Sequence, residues 1–218
     1  MVGGDKLKKI PKDEDLEHEV LKYEDKNVRE LLTEMKDYSE LIADLAYAAV
    51  VYGSQDLAQE VRHIESEMDK MMYLIRLKTM LGARNIEDAK QLSGLLQIAS
   101  SAEKISDAAE DMVKLLRFEK EAKSLLPHIF EKADEKIKTL RVADSSSMVN
   151  NKIGELSVES ATGVRIIAIR RRGYWIYGPT GENHIRGGDL LVVSGNEEGY
   201  QVLDDMALAK REWKELIR

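Results

Sequence analysis

Residues 162–195 read TGVRIIAIRRRGYWIYGPTGENHIRGGDLLVVSG. The β-branched run 164–170 predicts a short strand. Arg172-Gly173 is turn chemistry, and residues 174–177 predict a second strand that Gly178-Pro179 stops. Gly187-Gly188-Asp189 predicts another turn, with Asp189 holding it through backbone contacts, and residues 190–193 predict a third strand. Gly195-Asn196 then opens a helix whose apolar positions are Tyr200, Leu203, Met206 and Leu208. The result is a small α+β domain.

Upstream the period changes from two to between three and four. Val28, Leu31, Met35, Tyr38, Ile42, Leu45, Ala49 and Tyr52 alternate steps of three and four, the heptad pattern of a packed bundle. Gly53 ends that helix and Ser54 can cap the next, which repeats the pattern at Leu57, Val61, Ile64, Met68, Met71 and Ile75. The second helix stops near Gly82. Asn85 caps a third, with Leu95, Ile98, Ala102, Ile105, Ala109, Met112 and Leu116 on its apolar side. Short connections make consecutive helices antiparallel neighbours, so the fold class is multi-domain: an all-α three-helix bundle, then the small α+β domain. A further helix is expected from about Pro127 to Val142, leading into ADSSS (143–147), read as a polar linker. The expected layout is an N-terminal extension (1–25), a helical bundle with its connecting helix (26–140) and the α+β domain (141–218).

Composition narrows the function. Of the 218 residues 33% are charged, and residues 141–218 are charge-neutral, so the net charge of −7 belongs to residues 1–140. That balance argues against nucleic-acid binding. Without cysteine there can be no disulfide, thiolate metal site or cysteine nucleophile. The longest apolar run, residues 45–52, is far short of a bilayer span, and the N-terminus has no apolar signal core. A soluble cytoplasmic protein without direct membrane insertion is expected. G-x-G-x-x-G, the Walker A loop and G-x-S-x-G are all absent, so no enzyme is expected.

The C-terminal part resembles the TrkA C-terminal (RCK-C) family over about residues 145–208. The resemblance rests on Ile153-Gly154-Glu155-Leu156, Thr162-Gly163, Ile166, Ala168-Ile169-Arg170, Arg172-Gly173, Pro179, Ile185, Gly188-Asp189 and Val193-Ser194-Gly195. It implies a cytoplasmic regulatory module of potassium channels and cation transporters that dimerises and senses a small ligand. The helical part resembles a single PhoU-type repeat, through an acidic-x-x-x-Asp signature on each helix: Glu40–Asp44, Glu65–Asp69 and Glu103–Asp107. The two resemblances together imply a homodimeric accessory subunit of a cation transport system. It would sit at the inner face of the membrane through a membrane-embedded channel or transporter subunit.

Two residue sets are candidate sites. Glu40, Asp44, Glu65, Asp69, Glu103 and Asp107 project paired carboxylates from single helix faces, a donor set for a divalent metal ion; the alternative is a solvated acidic face. Arg165, Arg170, Arg171, Arg172 and Arg186, beside Tyr174, Trp175 and Tyr177, suit a nucleotide-type anionic ligand; the alternative is a protected sheet edge or dimer salt bridges. Met71, Met72 and Met80 are a candidate partner contact. Three functions stay open: a ligand-sensing transport regulator, a PhoU-type metal-binding phosphate-signalling regulator, and a structural adaptor that binds neither ligand.

Overall fold

The computed structural model describes residues 25–117 and 136–213. The N-terminal extension, apart from Asp25, and the start of the helix expected at Pro127 lie outside the described residues. The chain divides into two compact units, Met1–Glu40 with Arg62–Ala108, and Leu41–Val61 with Ala109–Arg218.

Three long helices make up the N-terminal region: α1 (Val28–Tyr52), α2 (Gln55–Gly82) and α3 (Ile86–Lys114). Each begins on a side-chain cap. Asn27 Oδ1 accepts from the Glu30 N–H at 3.1 Å while the Glu30 carboxylate accepts from the Asn27 N–H at 2.8 Å, a reciprocal capping box. Ser54 Oγ and Asn85 Oδ1 accept from the N–H groups of Leu57 and Asp88. On α1 the heptad positions Leu31, Met35, Ile42, Leu45 and Ala49 are all fully buried. On α2 the buried set is wider than the single stripe of a surface helix, because Met72 and Leu74 join Met71 and Ile75 inside. Met71 and Met72 therefore cannot serve as an exposed partner contact, and only Met80, 69% exposed, reaches solvent. On α3 the heptad reading is partly overturned, with Ala99, Ala109 and Val113 buried while Ile98 and Ile105 face solvent.

In the second unit four antiparallel strands run β1 (Lys136–Arg141), β2 (Val164–Arg171), β3 (Tyr174–Tyr177) and β4 (Leu190–Gly195), in the order β1-β4-β2-β3. Two short helices, α4 (Ile153–Leu156) and α5 (Val158–Thr162), precede β2, and α6 (Glu197–Ala207) follows β4. The expected helix ending at Val142 is instead strand β1 over its described part, paired with β4 from Lys136–Gly195 to Arg141–Leu190. Helix-forming lysines there yield to ladder bonds with a strand some fifty residues away, a non-local choice that local propensity does not carry. Nor is ADSSS a loose linker. The Ser146 hydroxyl donates to the Met206 carbonyl at 2.7 Å, and Ser147 Oγ accepts from the Trp213 N–H at 2.9 Å.

The β2–β3 hairpin turns on Arg172 (φ 50°) and Gly173 (φ 91°), both left-handed, the backbone a two-residue turn between twisted strands requires. The β2–β4 register shifts between Ile166 and Ala168, a β-bulge. One sheet face packs on α4–α6 through Ile166, Ile169, Leu191, Val193, Leu203 and Met206. Trp213 closes this core, and its Nε1–H donates to the Leu156 carbonyl at 3.0 Å. Gly199 lets α6 approach, because a Cβ there would lie 2.0 Å from the Thr162 carbonyl oxygen.

Asp189 is 1% exposed and sits at the mouth of β4. Its carboxylate accepts from Arg171 Nε (2.8 Å) and Nη2 (2.7 Å) and from the Arg186 N–H (2.9 Å). A buried carboxylate is tolerable only when paired in this way. Replacing Asp189 with Leu strands the Arg171 guanidinium and is expected to lower unfolding stability by about 3 kcal/mol, whereas Asp189→Leu with Arg171→Met recovers much of the loss. Urea denaturation midpoints check both.

Candidate functional site

Strand register gathers the arginines. Arg141 at the end of β1 and Arg170 near the end of β2 both pair with Leu190, the first residue of β4. The β2–β3 turn adds Arg172 and Gly173, and the turn before β4 adds Arg186, Gly187 and Gly188. Together these residues line an open cleft of about 370 Å³. Asp189, the one carboxylate among the described lining residues, is neutralised by Arg171, whose Nη2 also donates to the His184 carbonyl at 2.7 Å. That pairing raises the Arg171 pKa further, so this guanidinium is structural. Arg141, Arg170, Arg172 and Arg186 stay exposed around the cleft. Arg141 donates to the Gly188 carbonyl at 3.3 Å, and the Arg170 guanidinium lies 5.6 Å from the Trp175 ring centre. Such a set offers planar forks to phosphate or carboxylate oxygens.

Of the five arginines expected at a ligand site, Arg170, Arg171, Arg172 and Arg186 come together. Arg165 does not, since it pairs with Asp44 on α1. Arg141 was missed because its segment reads as helix.

The six candidate carboxylates also separate. Glu65, Asp69 and Asp107 bring one oxygen each within 4.8 Å of one another, with Glu65 buried and the other two exposed. That spacing and an all-oxygen donor set fit one hard divalent cation. Each of the other three faces a cation of the chain: Glu40 lies 3.0 Å from Lys36, Glu103 lies 3.6 Å from Arg76, and Asp44 is held by Arg165.

A third set was not legible in the sequence. The α1–α2 hairpin tip meets the sheet within the second unit. The Tyr52 hydroxyl donates to the Ile137 carbonyl at 3.0 Å, and the Trp175 Nε1–H donates to Asp56 Oδ2 at 3.2 Å. Tyr177 reaches the Asp56 carbonyl at 3.5 Å and stacks on Trp175 at 5.7 Å. No spacing signal links residues 85 to 121 apart.

Residues 137–207 match the TrkA-C domain family, and residues 32–116 match the PhoU domain family. The chain joins a PhoU domain to a TrkA-C domain. Both are regulatory domains. The RCK_C domain dimer of S. agalactiae BusR in complex with c-di-AMP is similar at 28% identity, covering 34% of this chain and 91% of that one, with a TM-score of 0.32. S. agalactiae BusR in complex with its busA-promoter DNA is similar at 20% identity, covering 66% of this chain and 67% of that one, with a TM-score of 0.33. The GsuK channel bound to NAD is 19% identical over 64% of this chain, which spans 25% of the GsuK chain, with a TM-score of 0.33. No curated protein matches the chain. The exclusion of nucleic acid drawn from net charge is withdrawn, since BusR is solved on promoter DNA. A charge summed over a whole chain does not describe the field at any one face. No helix among the described residues is long and apolar enough to cross a membrane.

The contact of the PhoU hairpin tip with the TrkA-C sheet has a pH signature. Burial, with Glu60 and Asp56 adding, pushes the Tyr177 phenol up to about 12. An unfolded phenol ionises near 10, so its stabilising contribution is complete below about pH 10 and is lost as pH rises through about 12. Absorbance titration is expected to show a late tyrosinate step that Tyr177→Phe removes, together with a shallower fall in stability above about pH 10.

Proposed function

We propose that this chain is a cytoplasmic regulatory subunit of a potassium or cation channel or transporter, sensing a small nucleotide-type anion in the TrkA-C cleft. One observation carries the reading: four exposed guanidiniums, of Arg141, Arg170, Arg172 and Arg186, surround a cleft in which Asp189, the one carboxylate among its described lining residues, is already neutralised. Such forks match the oxygens of a phosphate group two at a time. The c-di-AMP of the BusR dimer and the NAD of the GsuK channel, ligands of those proteins, belong to the same chemical class. The cleft also has a route to the helices. An anion drawing Arg170 off the Trp175 ring perturbs the indole that donates to Asp56, at the start of α2. A ligand that prefers one arrangement of this contact shifts the population toward it, and the PhoU domain passes the change to a membrane-embedded partner.

A thermal-shift series with cyclic dinucleotides, NAD and mononucleotides tests this. A ligand at 100 times its Kd is expected to add about 2.7 kcal/mol of stability. Arg172→Glu with Arg186→Glu should abolish the response, while Arg165→Gln, outside the cleft, should leave it intact. No response to any nucleotide, or an equal response in the double variant, overturns the reading.

The convergence of Glu65, Asp69 and Asp107 favours a second reading, a PhoU-type regulator that binds a divalent metal. Calorimetric titration with Mn²⁺ is expected to give one site per chain, lost in Asp69→Asn with Asp107→Asn and kept in Glu40→Gln. No measurable binding, or binding unchanged in the double variant, overturns it.

A further inference from the structure

Helix α3 carries a second apolar line beside its buried one. Ile98, Ser101, Ile105, Ala108 and Met112 alternate steps of three and four, which holds them on one side of the helix. This seam is open, with Ile98 60% and Ile105 45% exposed, Ser101 and Ala108 exposed, and Met112 half-buried. β-Branched residues a step of seven apart, alternating with small ones and facing water, are the surface of a helix with no mate on that side among the described residues.

We propose that the mate is a second copy of this chain, with α3 pairing antiparallel against its counterpart. Size and charge both favour self-pairing in one register. Setting Ile105 against the partner's Ala108 also sets Ser101 against the partner's Met112, so each layer between Ser101 and Met112 joins a large residue to a small one, while Ile98 meets the partner's Leu115 at either end. By two-fold symmetry each contact occurs twice. The same register brings Lys104, which flanks the seam, beside the partner's Asp111, again twice. Asp111 is 73% exposed with Lys114 at 2.7 Å, so it remains within reach of a second cation. A parallel arrangement would instead stack Ser101 on the partner's Ser101 and Ala108 on the partner's Ala108, leaving hollow layers.

The chain has no cysteine, so introduced thiols are the only ones present. In the full-length chain Ser101→Cys combined with Met112→Cys is expected to give a covalent two-chain species on mild oxidation, and neither single variant is. Within one helix these positions lie roughly 16 Å apart along the axis, too far for an internal bridge. No covalent species from the double variant overturns the proposal, and so does equal cross-linking by Ser101→Cys alone, which marks a parallel pair. A second measurement does not depend on oxidation. Lys104→Asp or Asp111→Lys alone should shift sedimentation toward smaller species, and the two together should restore the larger one. If the chain sediments as a single copy, or neither reversal moves its distribution, the seam is covered by another segment of the chain or by a different protein, and the proposal fails.

Discussion

Everything at the arginine-lined end of the sheet depends on where the buried charge of Asp189 is neutralised. A carboxylate at 1% exposure, left alone, would cost several kcal/mol. Arg171 meets it with two hydrogen bonds, and the Arg186 N–H supplies a third. This clamp ties the last residue of β2 to the turn before β4, two segments that the chain itself leaves eighteen residues apart. Once they are tied, the ends of β1, β2 and β4 lie together, and among the described lining residues no second carboxylate answers their other arginines. The cleft is thus a by-product of a structural ion pair. Its positive character arises because one carboxylate has been assigned to one of five arginines.

The helical region follows a different economy. Its apolar positions at heptad spacing bury α1 almost completely on one side and α2 on more than one. Carboxylates on those helices are mostly matched by neighbouring lysine or arginine, as at Glu40, Glu103 and Glu110. Glu65, Asp69 and Asp107 bring three acidic oxygens together across two helices rather than along one. Like charges held so close favour a cation in their midst.

The sequence made most of the fold legible, and for physical reasons. Three long helices with Asn or Ser caps, and the strands between Val164 and Gly195, are written in short-range periodicity and turn chemistry. Strand β1 was not, because its Lys-rich stretch has helical propensity and acquires strand form only by pairing with β4. The sites divide the same way. Spacing along a helix places Glu65 with Asp69, but it carries no sign that Asp107 joins them while Glu103 turns to Arg76. Four arginines of the cleft were legible as a cluster. That Arg165 belongs to Asp44, that Arg141 completes the cleft and that Asp56 receives the Trp175 proton are tertiary facts with no local trace.

The bulge in β2 has a consequence for which arginine does what. In an unbroken strand, residues of equal parity share a face, so Ile166 would align with Ala168 and Arg170. The one-residue slip between Ile166 and Ala168 changes the parity, and Ile169 joins Ile166 in the core instead. Arg171 therefore follows Ile169 toward Asp189, and Arg170 is sent to the opposite face beside Trp175. Straightening the strand would exchange the two guanidiniums, giving the anchor's job to the exposed one and the exposed one's job to the anchor. A single extra backbone unit thus acts as a switch point in the wiring of the sheet, deciding which of two adjacent, chemically identical side chains is tied into the architecture and which stays exposed at the cleft.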